Sequence, residues 1–151
     1  MSIVRDIDKI IQHSHFWNWG QDWNIVKNIY KRFPESHSVL TPFAYAYMEE
    51  LIRSMTSEYG RININEDGNP ESKNVGYRLV KLAIDENKEF RPELASILEQ
   101  VLRHYKASLP SDRGENRNSV VHGLMHSRFW DEESFETLIH EVALLSEYAG
   151  F

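Results

Sequence analysis

Through most of this chain the apolar residues recur at the three-to-four-residue spacing of an amphipathic helix. That periodicity confines the fold to packed helices. Ile3, Val4, Ile7, Ile10 and Ile11 predict a short first helix over 2–13, lying as a lid or flank on the rest. Ile25, Val26, Ile29, Tyr30 and Phe33 predict a second over 23–33, with Asp22 as its N-cap and Pro34 as its stop. Thr41-Pro42 has the form of a cap followed by a first-turn proline, opening a longer central helix to about Tyr59 that ends at Gly60. Its inward members are Phe43, Tyr47, Met48, Leu51, Ile52 and Met55, while Glu49 and Glu50 stand one turn from Arg53 and predict a surface ion pair.

The second half continues the pattern. Val75, Leu79, Leu82 and Ala83 mark a helix over 73–87, and Arg91-Pro92 opens another to about Ser108 through Leu94, Ile97, Leu98, Val101, Leu102 and Tyr105. Leu109-Pro110 breaks it, a short helix follows over about 115–126, and Ser127 to Trp130 bends the chain. Asp131 with Ser134 then opens a final helix that buries Phe135, Leu138, Ile139, Val142 and Leu145 and turns Ser146 to its polar edge. Between Arg61 and Ser72 the turn formers Asn, Asp, Gly and Pro accumulate around Ile62 and Ile64, giving a loop insertion with room for a short strand. Its acidic run lacks the spaced terminal glutamate of a calcium loop. The segment from His13 to Trp23 holds three of the four tryptophans and is expected to serve packing or dimerisation. No linker, repeat or low-complexity tract divides the 151 residues. The expectation is one all-α, single-domain bundle of about six or seven helices, with residues 1–36 as an N-terminal helical extension.

Composition excludes several classes of function. The chain has no cysteine, hence no disulfide, no thiolate nucleophile and no cysteine-based zinc site. No apolar run approaches the roughly 20 residues that span a bilayer, and the first residues lack the form of a signal peptide, so no membrane partner and a cytoplasmic location are expected. A net charge of -6 argues against a protein coated in nucleic acid. The charge is unevenly spread, however. From Arg103 to Arg128 five cations face two anions, with His104, His122 and His126 in addition, whereas 131–147 holds six carboxylates and neither Lys nor Arg. A mildly basic loop beside an acidic helix face and a focused anion site are both consistent with that distribution.

Chemistry concentrates in Glu115-Asn116-Arg117-Asn118-Ser119-Val120-Val121-His122-Gly123. Arg117 brings a permanent planar fork of donors suited to phosphate, and His122 the side chain whose unperturbed pKa lies nearest neutrality. On a regular helix Asn118 and His122 share one face, but Arg117 and His122 diverge by roughly 140°. One copy of the motif therefore converges the pair poorly, unless Arg117 curls back from the helix start or a twofold partner supplies a second copy. Asn118, His122 and His126 also fall at i, i+4 and i+8, a stripe that could attract a metal but that no carboxylate completes. Ordinary capping and surface polarity would account for the same residues.

The run from Arg117 to Gly123 resembles the signature of the HEPN families, an arginine, a spacer that often begins with asparagine, and a histidine. The resemblance implies a four-helix core, a homodimer with motif helices paired in a composite cleft, and metal-independent RNA cleavage without a cofactor. Arg117 would stabilise the scissile phosphate, Asn118 would orient His122 or the phosphate, and His122 would serve as general base or acid. Arg113, His126 and Arg128 would line the RNA path. Products would be a 2′,3′-cyclic phosphate and a 5′-hydroxyl, because the 2′-oxygen is the nucleophile. Toxin, defence and housekeeping roles all stay open, the first with a cognate antitoxin as a partner. The alternative is a non-catalytic HEPN-like module that binds nucleic acid or protein. Leu124 occupies the place of the tyrosine that partner nucleotidyltransferases modify, which speaks against that pairing.

Overall fold

A computed structural model describes residues 2–15, 18–123 and 126–151. Within them the chain forms seven α-helices: α1 (Ile3–His13), α2 (Gly20–Arg32), α3 (His37–Arg53), α4 (Gly76–Asn87), α5 (Pro92–Val101), α6 (Arg117–His122) and α7 (Glu132–Ser146). Short 3-10 turns at Pro34–Ser36, Leu102–His104 and Ser127–Phe129 connect them. Phe16 and Trp17 of the aromatic segment, and Leu124 after the motif, lie outside the described residues. No helix is long and apolar enough to cross a membrane.

The centre of the bundle is α3, which packs against α4, α6 and α7. It is buried on most of its circumference because Ala44, Tyr45, Tyr47, Met48, Leu51 and Ile52 place apolar surface on several faces at once. Trp19 and Trp23 meet Phe43 and Tyr47 edge-on, with ring centroids 5.0 to 6.0 Å apart. Both tryptophans pack within the bundle. Completing the frame, α7 packs on α1, α3 and α5, and α4 pairs with α5.

Several boundaries differ from the sequence expectation. The first helix is no mere flank: Ile7 and Ile10 are wholly buried, in one cluster with Leu138, Ile139 and Val142 of α7. The cap of α2 is Trp19 rather than Asp22, since Gly20 already belongs to the helix. Most different is α3, which begins at His37 and carries Pro42 inside it. Starting one turn early buries Leu40 and Thr41, and the His37 ring reaches the carbonyls of Pro34 (3.2 Å) and Trp130 (3.0 Å). Thr41, read as a cap, instead donates its hydroxyl to the His37 carbonyl at 2.8 Å. Tertiary contacts outweigh the local Thr-Pro signal here. Ser146 is likewise interior, donating to the Val142 carbonyl at 2.8 Å.

Between α3 and α4 the insertion is exposed throughout and closes on itself through an isolated antiparallel bridge, Ile64 to Pro70. The Asn65 side chain builds its turn by accepting from the Asp67 and Asn69 amides. Val75 is exposed, and α4 starts at Gly76 rather than Lys73. That start is fastened from α3's side: Arg53 donates to the Asn74 carbonyl at 2.7 Å, and Asn74 donates to Glu58.

Candidate functional site

The segment 105–116 arrives at the motif through a buried polar hub. Asp112 is 1% exposed, and its Oδ2 accepts from the Leu109 amide (2.8 Å), the Asn116 side-chain amide (3.0 Å) and the Ser119 hydroxyl. Burial opposes its charge, yet these three donors and the Lys106 ammonium outweigh it and hold the carboxyl below the usual aspartate value. Asn116 is fully buried and caps α6, accepting from the Asn118 amide at 3.2 Å while its own amide reaches the carbonyls of Lys106 and Ala107.

A second buried set joins this loop to α3 and α7. The His104 Nδ1–H donates to the Glu115 carbonyl at 2.6 Å, and its Nε2 faces the Glu141 carboxylate, whose other oxygen accepts from Arg103. Tyr45 donates to the Gly114 carbonyl at 2.8 Å, and burial pushes its hydroxyl pKa well up. Residues 114–116, which lead into the motif, are therefore held from both sides.

Helix α6 is only six residues long. Gly123 stops it at φ 65, a left-handed conformation that glycine adopts without strain, and its amide bonds back to the Ser119 carbonyl. The expected helix over 115–126 is cut at both ends, so His126 leaves the stripe it would have shared with Asn118 and His122. Helix α6 is too short to act as an anion site by its dipole. Ser119 faces inward to Asp112 and is fully buried.

The three residues of the expected catalytic set do not converge within one chain. Arg117 forms a forked ion pair with Glu49 of α3, Nε and Nη2 reaching the same Oε2 at 3.1 and 2.9 Å. The other oxygen of Glu49 accepts from the Gly76 amide at 2.5 Å. Arg53 keeps Glu50, at 3.9 Å, but not Glu49. Asn118 donates to the Lys106 carbonyl at 2.8 Å, and its Oδ1 accepts from Arg117 Nη1 at 3.4 Å. His122 is exposed at the far end of α6, with no hydrogen-bond partner among the described residues.

The three residues expected to bind RNA are all exposed. Arg113 lines a pocket of about 220 Å³ with Pro110, Ser111 and Phe129. Arg128 stacks on Phe129, its guanidinium carbon 4.7 Å from the ring centre, and the His126 ring accepts from the Arg128 amide at 3.1 Å. The larger cleft, about 610 Å³, lies between α1 and α7, and two ion pairs cross it, Lys9 with Glu147 and His140 with Asp6. The expected site residues Arg117, Asn118 and His122 do not line it. Among the described residues, no three His, Asp or Glu side chains gather where they could hold a metal ion.

Sequence reasoning missed Glu49, Asp112, Asn116 and the His104–Glu141 pair. Asp112 and Asn116, four residues apart across a turn and close to Ser119, carried a signal in their spacing. Glu49 carried none, since its partner lies 68 residues away. No protein-family model, curated protein or solved structure matches the chain.

Proposed function

We propose that this chain is a metal-independent endoribonuclease of the HEPN type, acting in the cytoplasm as a homodimer whose two motif helices face each other across a shared groove. The observation that carries this reading is the placement of His122. It is exposed and unengaged by the described residues, on the same short helix as Arg117 yet turned away from it. A second copy related by a twofold axis would bring one chain's His122 toward the other's Arg117. Val121 beside it is 52% exposed, apolar surface that such a partner would cover. Exposed Arg113, His126 and Arg128 supply cationic and polar groups for the RNA backbone.

In the proposed reaction the 2′-oxygen bonds to phosphorus as the P–O5′ bond breaks. The 2′-hydroxyl proton passes to the neutral His122 imidazole, which, once protonated, returns it to the departing 5′-oxygen. His122 holds and moves that proton, and Arg117 balances the charge that builds on the phosphoryl oxygens. One observation favours a second reading, a non-catalytic binding module: Arg117 and Asn118 are both engaged within their own chain.

Incubation of mixed RNA with the protein in EDTA, beside a His122→Ala variant, separates the two. Cleavage ending in 2′,3′-cyclic phosphates, lost in the variant, is the expected result. RNA that is bound but left intact by both proteins would establish the binding module instead.

A further inference from the structure

The contact between Glu49 and Arg117 joins more than two residues. Around the Glu49 carboxylate converge the Arg117 guanidinium from α6 and the Gly76 amide at the first turn of α4, which are the donors a phosphate group would use. Glu49 and Arg117 side chains are only 13% and 16% exposed, so the pair is largely withdrawn from water. Gly76 has φ +56, and a Cβ there would stand 3.6 Å from the Tyr105 ring and 3.9 Å from Arg117 Nη1. Backbone, arginine and tyrosine thus crowd one spot.

Tyr105 provides an independent sign that this spot is built for more than the ion pair. It is 4% exposed, its hydroxyl has no hydrogen-bond partner among the described residues, and it feels the charges of both Glu49 and Arg117. A buried hydroxyl left unpaired costs free energy, and among the described residues that lack a partner Tyr105 is the one whose ring lies against Gly76 and which feels both charges of the pair. A tetrahedral phosphate has oxygens out of the plane of the carboxylate it replaces, and one of them would give that hydroxyl an acceptor.

We infer that Glu49 is an internal occupant of a phosphate-binding site formed by Arg117, the Gly76 amide and Tyr105, and that an RNA phosphate reaches Arg117 only by displacing it. This rests on the ribonuclease reading for the identity of the ligand, though not for the existence of the site. Being tethered, the carboxylate competes at an effective concentration on the order of millimolar or above. The site is therefore weak toward free phosphate in the isolated chain, and Glu49 sets how strongly RNA must be held elsewhere before Arg117 is released.

The test uses inorganic phosphate and a 2′-O-methyl RNA oligonucleotide, which cannot be cleaved, with the arginine Nε–H resonances of the whole protein as readout. In the wild type, phosphate is expected to move the Arg117 resonance only at high concentration. Glu49→Gln keeps an acceptor for the Gly76 amide and weakens the hold on Arg117, so phosphate affinity is expected to rise about tenfold or more. Adding Arg117→Ala should abolish that gain, and adding Tyr105→Phe should reduce it. An unchanged affinity in Glu49→Gln, or a gain that survives Arg117→Ala, overturns the inference. If phosphate binding behaves as described but no variant holds the RNA, the site stands and the ribonuclease reading falls.

Discussion

Replacing Asp112 with alanine removes the acceptor on which the approach to the motif converges. Its Oδ2 takes hydrogen bonds from the Leu109 amide, the Asn116 side chain and the Ser119 hydroxyl, all at a position 1% exposed. Asn116 keeps the Lys106 and Ala107 carbonyls, so two donors are left without an acceptor. Bonds to a charged acceptor contribute roughly 1.5–3 kcal/mol each, and relief of the buried charge offsets part of that, leaving an expected loss of about 3 kcal/mol. For a chain of this length that lowers the melting temperature by about 6–12 °C. Acid dependence provides a second readout. The folded carboxyl titrates below its unfolded value, so its stabilisation is fully present above about pH 4 and is lost as pH falls through the lower folded value. Urea unfolding of wild type and Asp112→Ala at neutral pH and across the acid limb measures both effects, and the variant should show a shallower decline below about pH 4. A loss under about 1 kcal/mol, with an unchanged acid limb, would refute the assignment of Asp112 as the hub.

Two further substitutions probe the frame. Ile10→Ala removes a fully buried side chain from α1 and should cost about 2–5 kcal/mol in urea unfolding, whereas a near-neutral result would return α1 to the status of a flank. Gly123→Ala meets no atom within 4 Å but must hold φ near 65, so its cost should be about 1 kcal/mol and purely conformational, and no loss at all would mean that α6 does not end there as described.

Local signals in the sequence survived into the structure where the contact they imply is itself local. Asp131 caps α7 and accepts from the Ser134 amide at 2.8 Å, as the three-residue spacing implies. The apolar period located the helices because each buries one stripe against its neighbours. Where a distant residue decides, the reading failed. Thr41-Pro42 has every local mark of a helix start, yet His37 and its contact with Trp130, 93 residues away, begin α3 a turn earlier. Glu49 had a nearby cation at helical spacing, Arg53, but pairs with Arg117 across the bundle. The motif was conspicuous because Arg117, Asn118 and His122 are close in sequence. Their divergence was foreseeable from helical geometry, but their engagement by Glu49 and by the Lys106 carbonyl was not.

The central claim is that each active site takes its arginine from one chain and its histidine from another, and mixing two inactive variants tests it most directly. Arg117→Ala and His122→Ala proteins, each silent alone toward RNA, would be unfolded gently together, refolded at equal concentration and assayed. Random pairing makes half the dimers mixed, each with one intact site of two, so about a quarter of wild-type cleavage should return. If the wild type cleaves RNA and the mixture does not, the site is not shared between chains.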